Sequence, residues 1–440
     1  MGETVAGEAF GLELIWDFNI NRYVRNIRPA GQDAGAGFVF GATDKGIYRI
    51  GRRGELKWRV EAGGRVADVL PLDAAGRRLM FAAGYEPARE RNDQCTIGII
   101  EDGGHIKSTR TIEGIFELHP IREGILAAGV EGRIYLLSPE LDEIWRAEAG
   151  SHVYSVTETN EGTIAAATIR GHVLKLDKKG RELARIQLPD DAMRVMRVED
   201  DGGPDLLVST SRNSFFALDD SLRVLWHRLT PIEYNVGLSA RLDGRGLVVG
   251  SAMDWFWDET AVVTAYDLEG IPVSAPVAFP HGVDTLSTVA DAGGDELLVT
   301  ADDCGRVALF RVVSRPREGG SPPGAPGLLD LLAGDDPEGR CWGLFWAARC
   351  PGLADDALRL NLDRLERPTL FDFLWAAVKG GAGRDAVTAV LGRFQRGEVR
   401  GREPHVFRGD VTPPLGAGLV ARWEKAWLER IAAALERRAA

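Results

Sequence analysis

Gly132-Arg133-Ile134-Tyr135-Leu136-Leu137, followed after a polar turn by Leu141-Asp142-Glu143-Ile144-Trp145, decides the fold. Apolar and polar residues tend to alternate with period two, and a turn separates the two halves, so the stretch reads as a β-hairpin. The same pair recurs as Gly46-Ile47-Tyr48-Arg49-Ile50 with Gly54-Glu55-Leu56-Lys57-Trp58, and as Gly171-His172-Val173-Leu174-Lys175-Leu176 with Gly180-Arg181-Glu182-Leu183-Ala184. It returns as Asn213-Ser214-Phe215-Phe216-Ala217-Leu218 with Leu222-Arg223-Val224-Leu225-Trp226. In three of these four hairpins an aromatic residue ends the outer strand.

Upstream of each hairpin lies a short run of small apolar residues, such as Ile125-Leu126-Ala127-Ala128-Gly129 or Leu206-Leu207-Val208-Ser209. Such a run suits a middle strand buried on both faces. A still earlier strand precedes it, as in Arg65-Val66-Ala67-Asp68-Val69-Leu70 or Met193-Arg194-Val195-Met196, which makes four strands per unit. Two degenerate units around Ile97 and Val263 and a last one at Gly305-Arg306-Val307-Ala308-Leu309-Phe310 bring the number to seven. The spacing of roughly 37 to 50 residues matches propeller blades. After Gly305 the outer strand is missing, and Ser314-Arg315-Pro316-Arg317-Glu318-Gly319-Gly320 is poor strand material. The missing element stands at the other end as Leu12-Glu13-Leu14-Ile15-Trp16, so the reading is a mainly β, seven-bladed β-propeller closed by an N-terminal strand.

The glycine, strand, turn and Gly54-Glu55-Leu56-Lys57-Trp58 pattern resembles the repeat of quinoprotein-like and WD-repeat β-propellers over residues 10–313. The resemblance implies fold only. Trp16-Asp17 and Trp257-Asp258 do not follow a Gly-His pair, and there is no vicinal cysteine pair of the kind quinone enzymes carry, so no cofactor is carried over.

With 440 residues and 45% hydrophobic content the chain can bury a sizeable core and divide into two domains. Residues 1–313 are read as the propeller, 314–327 as a Pro/Gly-rich linker, and 328–440 as a small α-helical domain. In that tail Leu419, Trp423, Trp427, Ile431 and Leu435 recur every four residues, and Leu370, Phe371, Leu374 and Val378 form a second apolar face. Three more helices are expected around Trp342, Phe345 and Trp346, around Leu358 and Leu362, and around Val387, Val390, Leu391 and Phe394. The aromatic density has two readings: a small domain building its own core, or faces that dock on the propeller or on a partner helix.

The net charge of −12 resides wholly ahead of Ser321, and an acidic disc repels phosphate backbones, which argues against nucleic acid and for protein partners. Met1-Gly2-Glu3-Thr4 lacks the character of a signal peptide, no run of 18 apolar residues occurs, and four scattered cysteines suit a reducing compartment, so a cytoplasmic protein without a membrane span is expected.

No zinc, nucleophile-elbow or Walker motif is present. Asp302-Asp303 and Asp254, Asp258 and Glu259 read as turn residues sooner than cation ligands. The basic stretch Arg393, Arg396, Arg400, Arg402, His405 and Arg408 is interrupted by acids and reads as a solvated loop. Two polar insertions stand out: one contains Tyr85, and the other is Met253-Asp254-Trp255-Phe256-Trp257-Asp258-Glu259. Aromatic residues at loop tips anchor partners, which makes Tyr85, Trp255, Phe256 and Trp257 candidate partner-binding residues; packing against a neighbouring blade or the helices is the competing reading. The expectation is a non-catalytic interaction scaffold or regulatory subunit of a cytoplasmic complex, serving an ATPase or protease effector by fold analogy, with no cofactor. The alternative is an enzyme or ligand sensor whose site lies in the central channel, where His152, Asp68, Glu117 and Arg194 could converge.

Overall fold

The computed structural model describes residues 8–30, 37–42, 44–73, 76–84, 94–101, 103–198, 204–210, 214–229, 235–242, 245–253, 261–268, 270, 277–279, 283–290, 296–302, 304–316, 322–334, 337–399 and 417–437. These residues form strands β1 to β28 in chain order, paired antiparallel into seven four-stranded sheets. Six sheets use four consecutive strands each. Their first strands are β2 (Val24–Pro29), β6 (Val66–Pro71), β10 (Ile115–Ile121), β14 (Val153–Glu158), β18 (Ala192–Arg197) and β22 (Asn235–Leu242), each packed beside the next. The circle returns through β26 (Val283–Ala290), which lies against both β22 and β2. Sheets arranged this way around an axis make a β-propeller, and they are numbered below as blades one to seven in chain order.

The last blade takes its outer strand from the other end of the chain. There β1 (Glu8–Asn19) pairs with β28 (Arg306–Pro316) from Glu8↔Pro316 to Asn19↔Arg306, with Trp16 opposite Leu309. Arg306 Nε also donates to Asp17 Oδ2 at 2.9 Å across this seam. Strand β28 runs three residues past 313, into the stretch whose composition reads as linker; Pro316 is tolerated because it is the strand's last residue.

Neighbouring blades are joined at the rim by a size match. Trp16, Trp58, Trp145 and Trp226 sit on outer strands and lie over Gly54, Gly104, Gly180 and Gly270, each in the turn before the next blade's outer strand. Those glycines have φ of +81°, +84°, +79° and +77°, and a Cβ at any of them would come within 2.9 to 3.3 Å of the indole. Three indoles also donate to a carbonyl of that turn: Trp16 to Arg52 at 2.7 Å, Trp145 to Lys178 at 2.9 Å, and Trp226 to Leu268 at 2.5 Å. Where the outer strand offers Ser108 or Ala184 at the same register, the turn residue is instead Leu141 or Leu222, at φ +74° and +62°, and its side chain is buried. Either partner can supply the apolar volume, and close packing allows only one of them to do so.

The C-terminal part is helical, from α1 (Ala325–Ala333) through α2 (Pro337–Arg349), α3 (Pro351–Leu358), α4 (Arg367–Gly380) and α5 (Arg384–Gln395) to α6 (Ala417–Arg437). The first of these begins inside the stretch read as linker, with Pro326 in its first turn, where a missing N–H costs nothing, and Leu328, Leu329 and Leu332 buried. Helices α4 and α6 pack on β21 (Val224–Leu229), the outer strand of blade five, and α2 packs on β24 (Ala261–Asp267) of blade six. Phe215, Trp226 and Tyr266 share one continuous core with Leu344, Phe345, Trp346, Phe371, Leu374 and Ile431. Both readings of the aromatic density therefore hold: the helices make a core of their own, and that core extends into the propeller. Ile431 and Leu435 of the expected α6 face are buried; the side chains of Leu419, Trp423 and Trp427 lie outside the described residues.

Candidate functional site

The first strand of a blade lines the axis, and in six of the seven it carries an irregularity after its first residue. The pairing register shifts between Val24 and Asn26, Val66 and Asp68, Ile115 and Glu117, Val153 and Ser155, Ala192 and Arg194, and Val283 and Thr285. A β-bulge re-aims the residue that follows it. Here it sets Asn26, Asp68, Glu117, Ser155, Arg194 and Thr285 at one level around the axis, as a polar ring built from six blades.

Three members of the ring make the same bond. Asp68 Oδ2 accepts the Leu118 N–H at 2.8 Å, Glu117 Oε2 accepts the Val156 N–H at 3.2 Å, and Ser155 Oγ accepts the Val195 N–H at 3.2 Å. Each side chain thus satisfies the backbone donor just after the ring position of the next blade, so the ring clips one blade to another. Ser155 Oγ also donates to the Val195 carbonyl at 3.3 Å. Asp68 has no capacity left: its carboxylate accepts from Asn26 Nδ2 at 2.7 Å, from Arg28 Nη2 at 2.7 Å and Nε at 3.2 Å, and from the Val69 N–H at 2.8 Å. The whole group is buried, where an unpaired charge would cost several kcal/mol.

Glu117 and Arg28 are enclosed by the blades yet keep 16% and 21% of their side-chain surface open, as expected of groups facing an axial channel. Burial pushes the Glu117 carboxyl above its usual range, against the pull of the Arg194 and Arg28 guanidinium groups, the latter 3.9 Å away. Burial, helped by the Arg28 and Arg197 charges, pushes His119 down to about 3, so its ring is neutral and Nε2 faces the Glu158 N–H at 3.5 Å.

Of the four candidates read from the sequence, Asp68, Glu117 and Arg194 are brought to this one ring. His152 is not: it precedes β14 and is exposed, while Ser155 takes the axial place in blade four. Asn26, Arg28, His119 and Ser155 were not read as site residues. The signal that finds them is a fixed offset from the first buried residue of each inner strand. Tyr85, Trp255, Phe256 and Trp257 lie outside the described residues, as do Asp254, Asp258, Glu259 and Asp303. Asp302 serves its turn, accepting the Arg306 N–H at 2.8 Å. Of the basic stretch, Arg396 pairs with Glu398 at 2.6 Å, and the residues from Arg400 to Arg408 lie outside the described ones. Among the described residues no group of three or more His, Cys, Asp or Glu side chains is placed to hold a metal ion.

No family model matches the chain, and no curated protein matches its sequence. Solved structures do match. BBS1N, crystallised in complex with ARL6DN and soaked with mercury, aligns with a TM-score of 0.55 at 11% identity, covering 71% of this chain and 99% of that one. The WD40 β-propeller domain of Doa1 aligns with a TM-score of 0.53 at 11% identity, covering 68% of this chain and 97% of that one. At such identities the likeness is one of fold: this chain is similar to WD40 and BBS1N β-propellers, with helices added at its C-terminal end.

Proposed function

We propose that this chain is a non-catalytic protein-interaction scaffold or regulatory subunit of a cytoplasmic multiprotein complex. The observation that carries this reading is the use to which the axial ring is put. Asp68 is saturated, Ser155 is held between a backbone donor and acceptor, and Glu117 caps the next blade. A general acid or base must have a lone pair or proton free for substrate; Asp68 and Ser155 spend theirs on holding blades together, and Glu117 gives one oxygen to the Val156 N–H. The result is a rigid disc whose loops are left for recognition. BBS1N, a propeller of similar fold, was crystallised with a protein partner, which supports the same use of this one. An ATPase or protease effector is the class of partner suggested by fold analogy.

The aromatic insertion at Trp255 and Trp257 is the proposed anchor. The test is to isolate the tagged full chain with its stoichiometric partner and compare the Trp255→Ala/Trp257→Ala variant. Loss of the partner at an unchanged melting temperature supports the reading. A parallel fall in stability assigns the two tryptophans to packing, and retention of the partner removes them from the interface.

A further inference from the structure

Arg430 stands on α6 at the flank of the stripe that seals the helices to blade five. Ile431, Ala434 and Leu435 are buried in the shared core and Leu428 packs against it; Arg430 is half-buried, with Nη1 shut off from water and meeting no acceptor. The propeller groups within its electrostatic reach are the His227 ring, which is neutral, and the Arg223 guanidinium, which carries the same sign. Among the described residues no carboxylate pairs with Arg430. By contrast, Arg181, Arg185 and Arg223 of the adjoining rim meet Asp177, Glu182 and Asp219 at 2.6, 2.7 and 2.9 Å. A guanidinium drawn partly out of water without an opposite charge destabilises the chain that carries it, so its use lies outside the chain's own contacts. The second observation is apolar and lies beside the first. Arg223 follows Leu222, which is buried in one core with blade four, where Ala184 packs against it. The residue before Ala184 is Leu183, in the bulge of β17 (Glu182–Gln187), as Leu225 is in the bulge of β21. Leu225 packs against the helical core, whereas Leu183 is 56% exposed. The same aliphatic position is covered by helices on one blade and open on the next.

We propose that the rim of blade four beside α6 docks an acidic amphipathic helix of a partner protein, with aliphatic residues of that helix on Leu183 and one of its carboxylates paired with Arg430. Two features of the surface select this occupant. The site continues an interface already formed, in which helices α4 and α6 lie on β21, so a further helix finds the same aliphatic step one blade on. The unmatched charge is a guanidinium, whose planar donors suit a carboxylate in two-point geometry. The inference rests on the scaffold reading and adds to it a second contact, on a different blade from the aromatic insertion at Trp255 and Trp257.

The test uses the purified full chain and two fluorescein-labelled helical peptides of about five turns, read by anisotropy. One has leucine along one face and glutamate on either side of it; the other has lysine in place of each glutamate. The expected result is saturable binding of the acidic peptide and at least about tenfold weaker binding of the basic one. Arg430→Gln should weaken the acidic peptide by at least about tenfold, the scale of one charge-assisted contact, and Leu183→Gln by several-fold. A second measurement needs no ligand. Arg430→Met keeps the apolar stem and removes the unmatched charge, so it should raise the urea midpoint of the free chain. A lowered midpoint would show that Arg430 serves the chain's own fold and would overturn the proposal. No saturable binding, equal binding of the two peptides, or equal affinity of wild type and Arg430→Gln would do the same. Any of these results, in a chain that still isolates with a stoichiometric partner, removes this surface and leaves the scaffold reading in place.

Discussion

The outer strand of blade five and those of blades three and four are the same element in two environments. On β13 (Glu143–Glu148) and β17 (Glu182–Gln187) the sequence runs Glu-Ile-Trp-Arg and Glu-Leu-Ala-Arg, and Ile144 and Leu183 are 52% and 56% exposed. On β21 the equivalent residues are Val224, Leu225, Trp226 and His227; Val224, Trp226 and His227 are buried, Trp226 lies within the core shared with α4 and α6, Leu225 packs against that core, and Val224 belongs to the core between blades four and five. The aliphatic at the second position is common to all three. What differs is the charge on either side of it: Glu182 and Arg185 pair with each other at 2.7 Å in solvent, and their counterparts on β21 carry no such charge. Two lost charges separate a rim that stays wet from one that accepts a helical domain, since a buried carboxylate without a partner costs more than an aliphatic contact returns.

Restoring one of those charges is the most damaging change this comparison suggests. Val224→Glu places an unpaired carboxylate in the buried core between blades four and five and should lower stability by about 3–5 kcal/mol, as read by urea unfolding. The mirror change, Glu182→Val on the open rim, removes only a solvated pair and should alter stability by less than about 1 kcal/mol. Equal effects of the two would mean that the first position of β21 is as open to water as that of β17.

The tryptophan common to both environments gives a second, smaller contrast. Trp145 and Trp226 make the same clasp, each donating to a turn carbonyl of the next blade and covering a glycine there. Trp226 is in addition buried under the helical core, whereas Trp145 is only half-buried. Trp226→Ala should cost about 3–4 kcal/mol and Trp145→Ala about half of that. The difference, measured in chemical denaturation, is the share that the helices add to an otherwise identical contact.

The repeating hairpins, the closure of the last blade by β1 and the helical tail were legible because each rests on periodicity or on a missing strand, and local patterning reports both. The axial ring was legible only in part. Asp68, Glu117 and Arg194 announce themselves as charges on inner strands, but the bulge before each breaks the two-residue alternation, so Ser155 and not the more conspicuous His152 faces the axis. Asn26 and Arg28 were missed because their partner, Asp68, lies 42 and 40 residues away, and no local pattern reports such a contact. The exchange of Trp and Gly for Ser or Ala and Leu was hidden for the same reason: Ser108 and Leu141 explain each other only when blades two and three stand side by side. The start of α1 was concealed by Pro323 and Pro326, which read as linker and in fact open a helix.

The third contrast between the rims is in their response to acid. His227 stands where the open strands carry Arg146 and Arg185, and arginine keeps its charge throughout the accessible range. Burial, with Arg430 of α6 nearby, pushes His227 down to about 3, far below its ordinary value. The folded state therefore holds the neutral ring while the unfolded chain takes up a proton below about pH 6.5, so stability is complete above that pH and declines as acid is added until the folded value is reached. The slope from one such group is up to about 1.4 kcal/mol per pH unit. His119 in the channel carries a shift of the same direction and size, so the wild type loses stability through both. His227→Gln should remove the rim contribution and flatten the decline between pH 6.5 and 5, with the channel contribution left in place. An unchanged slope would show that His227 is already protonated in the folded protein, and hence that water reaches β21 beneath the helices as freely as it reaches β17.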